Sequence, residues 1–239
     1  WTDFQDWDHA DWHRVLGVNL TGVFMTLQAA ARVLIEQGEG HRIEFKLKAK
    51  HPDRIIREIV AFSNSKGGHL FIGVDDDGSI IGLKDAEEAH YVMEKAMQEL
   101  CRPQIEYEFQ GIPIDGKRAI VHYQFESGKK KPYFAFLKPF HKRGRSFVRL
   151  EDRSIQASRE LRQILKFSLK ETTTPFEYGE NEKMLLNYLG NHEEITVNTF
   201  CTVGNIDKQL ASQTLIKLTV NNVLKVIPDE KEDRFIFVA

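Results

Sequence analysis

Carboxylates are the side chains of this sequence best placed to do chemistry. Glu39 and Glu44 stand five residues apart at the start of a short apolar run (43–48), and Asp75, Asp76 and Asp77 close a second run (70–74). Both runs have strand character, and residues 55–62 between them carry an apolar stripe at helical spacing, so the spacing predicts strand, helix, strand. Adjacent strand ends can bring such groups together, and clustered carboxylates suit a divalent cation. The same residues have a plainer use, because aspartates beside glycine form turns and Asp77-Gly78 is a good hairpin signal. The odd offset also puts Glu39 and Glu44 on opposite faces of a straight strand. A bend at Gly40 relaxes that conflict. Gly67 and Gly68 turn the chain after the helix, but no G-x-x-x-x-G-K-[ST] loop is present, which argues against nucleotide hydrolysis.

A second group of residues suits phosphates. Lys129, Lys130, Lys131, Lys138, Lys142, Arg143, Arg145 and Arg149 form a basic stretch with no acidic residue among them, interleaved with Tyr133, Phe134, Phe136, Phe140 and Phe147. Cations neutralise phosphates and rings stack on bases, which is what single-stranded or irregular nucleic acid needs. Lys46, Lys48 and Lys50 extend the face. The competing reading is a strand pair with its aromatic rings buried and its lysines solvated; the one-signed charge favours a binding face.

The chain has 239 residues, room for one large or two modest domains, with the composition of a soluble globular protein. A formal net charge of -2 gives no global nucleic-acid signature, so the electrostatic argument is local. Cys101 and Cys201 are isolated and read as reduced thiols of a cytoplasmic protein. No apolar run is read as long enough to span a bilayer and no cleavable signal is visible, so no membrane partner is expected.

Residues 39–46 read E-x4-E-F-K and residues 61–82 read A-F-x-N-x-x-G-G-x-L-x-I-G-V-D-D-x-G-x-I-x-G; Gly82-Leu83-Lys84, Pro103, Lys131-Pro132-Tyr133 and the run from Val148 to Ser154 follow. This pattern resembles the AlbA_2 domain shared with the schlafen proteins, over roughly residues 39 to 165. The resemblance implies a mixed α/β domain, hence an α+β chain, and nucleic acid, DNA or RNA, as the partner. Many bacterial relatives are described as DNA-binding or regulatory, so a regulatory role is the first expectation. RNA-cleaving schlafens use two glutamates five apart and an aspartate in the G-V-D-D turn; carried over, these are Glu39, Glu44 and Asp76. The alternative expectation is therefore a metal-dependent endoribonuclease in which these three hold Mg²⁺ or Mn²⁺, polarise a phosphodiester and activate water or a ribose hydroxyl. No other cofactor is implied.

The two ends read differently. Residues 8–37 form a long predicted helix, capped by Asp8 or Asp11 and ended by Gly38. The run from Asp11 to Phe24, continuing to Arg32, resembles the fourth helix of short-chain dehydrogenases, with Asn19 at the tetrad asparagine. Without a dinucleotide loop nothing holds a pyrophosphate, so oxidoreductase activity is not expected. Residues 1–36 read as a fragment joined to the domain of residues 37–168, and the start at Trp1 fits that reading. The helix is expected to pack on that domain or to pair two chains as a homodimer. Residues 169–179 have linker composition. Residues 180–239 read as three helices and a terminal hairpin, resembling a winged-helix domain in which Lys208, Gln209, Ser212, Gln213 and Lys217 face a major groove. Asp229, Glu230, Glu232 and Asp233 in the hairpin turn oppose that contact.

Overall fold

The computed structural model describes residues 8–137, 143–168 and 179–238. The chain opens with α1 (His9–Leu16), a π-helical segment (Gly17–Thr21) and α2 (Gly22–Glu36), which run on as one helix. The Asp8 carboxylate caps its start by accepting from the Asp11 N–H. Gly38 ends it at φ +75, a left-handed conformation that glycine adopts cheaply. By length and composition alone this 28-residue helix could cross a membrane, which corrects the expectation that no run reaches that length. Its last turns bury Ala31 and Ile35 against Ile43, Phe45, Phe71 and Ile120, and Gln28 donates to the Pro113 carbonyl at 2.6 Å. Packing on the following domain, one of the two expected outcomes, is thus what the helix does. Val18, Val23 and Met25 nearer its start stay exposed.

Strands β1 (Ile43–Lys46) and β2 (Gly68–Ile72) are parallel and joined by helix α3 (Pro52–Asn64), the strand-helix-strand unit the apolar spacing predicts. After α4 (Ala86–Leu100) and the short β3 (Cys101–Arg102), β4 (Tyr107–Asp115) and β5 (Arg118–Phe125) complete an antiparallel extension in the order β1-β2-β5-β4. Alternation along each strand sorts the side chains. Leu70, Ile72, Val121 and Tyr123 meet α3 and α4, whereas Phe71 and Ile120 meet α2, so helices cover both faces of the sheet.

Two further strand pairs close the domain: β6 (Phe134–Ala135) on β3, and the hairpin of β7 (Phe147–Leu150) and β8 (Arg153–Gln156). Asn64, the asparagine of the A-F-x-N motif, ties α3 to them. Its amide donates to Tyr133 O, Ser146 Oγ and Phe147 O, and its carbonyl accepts from Tyr133 N at 2.7 Å. Gly67 and Gly68 are required by contact: a Cβ would lie 2.4 Å from the Phe125 carbonyl in one case and 2.4 Å from the Phe62 ring in the other. The glycine pair is a packing device of the turn.

Ser158 caps α5 (Arg159–Phe167) by accepting from Leu161 N–H. The expected linker lies outside the described residues except for Gly179. Beyond it, α6 (Glu180–Leu189), α7 (Val197–Gly204) and α8 (Lys208–Val220) pack around Leu185, Phe200, Leu215 and Phe235, and β9 (Leu224–Ile227) pairs with β10 (Arg234–Phe237). Ile164 of α5 joins this core, and Ser212 of α8 donates to Glu160 at 2.7 Å. Helix α5, read as the end of the first domain, therefore packs against the second unit as well. The whole is a mixed α+β chain.

Candidate functional site

The bend expected at Gly40 is present. Gly40 N–H donates to the Ile43 carbonyl at 3.0 Å, and the chain folds back so that Glu39 Oε1 accepts the Phe45 N–H at 2.8 Å. β1 is an edge strand, and this carboxylate satisfies one of its outward N–H groups. In the D-D-D-G turn the three aspartates separate by role. Asp75 Oδ1 accepts from Asp76 N and Asp77 Oδ1 from Ser79 N, whereas the exposed Asp76 carboxylate accepts no hydrogen bond from the described residues. Asp77 is held below the usual carboxylate range by the Ser79 hydroxyl and N–H.

Glu44 is buried, and both of its oxygens are engaged. Oε2 lies 2.8 Å from Arg149 Nη2, and Oε1 is on the Lys46 ammonium, which is also 4.0 Å from Glu39 Oε1. Arg149, expected on the nucleic-acid face, is instead an interior residue whose side chain is 1% exposed. Its guanidinium also meets Glu58 Oε2 at 2.5 Å and the Gly40 carbonyl at 2.8 Å, and lies 4.9 Å from the centroid of the Phe62 ring. Ser154 donates to the same Glu58 oxygen. An arginine fork with two carboxylates and a carbonyl in a dry setting is well matched, and removing one partner of such a pair costs about 3–5 kcal/mol. Glu58 was not among the expected site residues; an acid on the α3 stripe of Ile55, Ile56, Ile59 and Val60 was the signal for it.

Burial raises the carboxyl of Glu39 above its ordinary value; the Phe45 N–H opposes this, the Glu44 charge adds to it, Lys46 opposes and Asp76 adds. Burial likewise raises Glu58, with the Glu44 charge next. Glu39 is thus within electrostatic reach of both Glu44 and Asp76. As arranged they do not fit a divalent cation. The Lys46 ammonium already serves the two glutamates, and among the described residues no three His, Cys, Asp or Glu side chains are grouped to hold a metal ion.

The basic stretch divides in the same way. Lys131 is half-buried, donates to the Ser65 carbonyl and Ser127 Oγ at 2.8 Å each, and burial lowers its pKa, so it is a structural cation. Tyr133 and Phe147 belong to the core, as the competing reading had it. Lys48, Lys129, Lys130, Arg143 and Arg145 are exposed, and none is in an ion pair among the described residues. Lys142, Lys138 and Phe140 lie outside the described residues. On α8, Gln213, Lys208 and Gln209 are exposed, Ser212 is buried under α5, and Lys217 Nζ lies 3.3 Å from Glu182 Oε1. Asn19 sits in the π-helical segment and is exposed.

Comparison with known proteins completes this picture. No curated protein matches the chain. Solved structures similar to parts of it include the DIP2311 protein of Corynebacterium diphtheriae (TM-score 0.40, 14% identity, 65% of this chain and 30% of that one) and the N-terminal domain of a Nitrosomonas europaea protein named as related to a putative ATP-dependent DNA helicase RecG (TM-score 0.39, 18% identity, 63% and 96%). The chain therefore spans less than a third of the Corynebacterium protein. The family profile described as "Schlafen, AlbA_2" matches residues 39–158, from the first glutamate of the site to the cap of α5, and by that match the chain belongs to the Schlafen AlbA_2 family.

Proposed function

We propose that this chain binds nucleic acid and acts as a regulator, with the AlbA_2 domain supplying the phosphate contacts. The carrying observation is that Lys129, Lys130, Arg143 and Arg145 are exposed without a carboxylate partner among the described residues, whereas the motif acids face inward or form a turn. Solvated cations left unpaired are the part of a surface that gains most from a polyanion, through released counterions. The C-terminal unit is read as a winged helix in which α8 offers Lys208, Gln209 and Gln213 to a groove. Titration of labelled duplex DNA and structured RNA at rising salt tests the proposal. Steeply salt-dependent binding, weakened about tenfold or more by the triple change Lys129→Ala, Lys130→Ala, Arg143→Ala, is expected from the loss of three phosphate contacts; binding indifferent to those changes overturns the assignment of the face. We also propose a homodimer contact through the exposed side of the N-terminal helix, supported by the exposure of Val18, Val23 and Met25. Sedimentation of the wild type and of Met25→Glu checks it, a monomeric mass in both ruling pairing out.

The second reading is a metal-dependent endoribonuclease using Glu39, Glu44 and Asp76. One observation favours it: the Asp76 carboxylate has no hydrogen-bond partner among the described residues and lies within electrostatic reach of Glu39. It requires the Lys46 ammonium to leave the two glutamates first.

A further inference from the structure

A cleft of about 580 Å³ separates the β7–β8 hairpin and the start of α5 from the turn between β9 and β10. Arg57, Arg145, Arg159 and Arg162 line it from the elements that precede this turn, and Asp229, Glu230, Glu232 and Asp233, with Lys231 among them, line it from the turn. No ion pair within 4.0 Å closes across it among the described residues, and the two sides are joined by the Ser158–Asp233 hydrogen bond. Of the four guanidinium groups, only that of Arg162 donates to a backbone carbonyl among the described residues, at Ala157 O, and Arg57 lies 6.0 Å from the Phe147 ring centroid. On the acidic side, Asp233 is locked: its Oδ2 accepts from Ser158 Oγ and its Oδ1 from Asp229 N–H, which ties the hairpin turn to the cap of α5. Asp229 accepts from Lys231 N–H and Glu232 from Asn198 N–H, whereas Glu230 accepts no hydrogen bond from the described residues.

Four guanidinium groups on one wall repel one another, and among the described residues the fold draws no ion pair from them. Their planar donor forks match phosphate oxygens. We propose that this cleft receives the phosphate backbone of a single nucleic-acid strand on the arginine wall, and that the acidic turn competes for that wall in the free protein. The inference rests on the nucleic-acid reading above and gives that reading a second anionic contact surface, of which only Arg145 was foreseen from the sequence. It also assigns the wing acids, which argued against DNA contact, a use: they screen the arginines until a polyanion displaces them.

The test is fluorescence anisotropy of labelled oligo(dT) and oligo(U) with the full chain. Neutralising the arginine wall (Arg57→Gln with Arg159→Gln) is expected to weaken binding about tenfold and to flatten the log–log salt dependence by about two counterions. Neutralising the turn (Glu230→Gln with Glu232→Gln) is expected to tighten binding about threefold or more, while the same charge change on α4 (Glu87→Gln with Glu88→Gln) moves it less than about twofold. Turn and α4 variants with equal affinities overturn the competition, and an unchanged arginine variant overturns the cleft as the site. A wild-type chain that binds neither strand at low salt removes the nucleic-acid reading itself, an outcome distinct from either.

Discussion

At the scale of single residues, the motif that implies catalysis is built largely from groups the fold consumes. Glu44 neutralises Arg149 and Lys46, so Glu44→Ala is a fold variant before it is a catalytic one. It should lower the unfolding free energy by about 3–5 kcal/mol in denaturant titration, because a buried guanidinium loses a partner. Asp76→Asn, on an exposed side chain without a hydrogen bond among the described residues, should change stability by less than about 0.5 kcal/mol, which makes it the clean probe of chemistry at this site. A second pair of residues sets pH behaviour. His122 is buried, stacks on Phe71 and lies 3.0 Å from His69; burial first, and the His69 charge second, bring its pKa down from 6.5 to about 4. The unfolded imidazole takes up a proton that the folded one refuses, so this stability is complete above about pH 6.5 and falls as pH drops toward 4. Denaturant titrations at pH 7 and pH 5 should show a loss of about 2 kcal/mol from His122 alone, largely absent in His122→Gln.

At the scale of elements, hydrophobic period made the strand-helix-strand unit, the N-terminal helix and the C-terminal three helices with a hairpin legible, since each is a local pattern. What pairs across the chain was not legible. Arg149 sits in a run of like charges and reads as solvated, yet its Glu58 partner is 91 residues away and supplies the reason for its burial. The Glu39 fold-back was visible as a requirement, a bend at Gly40, because the odd spacing had to be reconciled with one site. Asp233 looked like a wing charge, and only the contact with Ser158, 75 residues earlier, shows it to be a joint between units. The N-terminal helix, legible as a dehydrogenase-like stretch, is held by its end: Ile35→Ala should cost about 2–5 kcal/mol, since Ile35 is 5% exposed in the cluster with Phe45 and Phe71. A loss below about 0.5 kcal/mol in denaturant titration would show that the helix is not part of the cooperative fold.

At the scale of the whole molecule, a chain of net charge -2 still leaves Lys48, Lys129, Lys130, Arg143 and Arg145 exposed and outside any ion pair among the described residues. The AlbA_2 domain presents arginines and lysines that no carboxylate among the described residues neutralises, and the turn of the C-terminal hairpin lines one cleft with Arg57 and Arg145 of that domain and Arg159 and Arg162 of α5. Composition averaged this away. Three-dimensional placement separates the cations the fold uses, such as Arg149 and Lys131, from those it leaves exposed. The central claim is that this is a nucleic-acid-binding protein whose motif carboxylates serve the fold. The most direct test is one gel in which the purified chain meets labelled structured RNA and duplex DNA, each with EDTA or with Mn²⁺. The account predicts retarded, intact nucleic acid under both conditions, and RNA products that form only with Mn²⁺ and vanish in Asp76→Asn would contradict it.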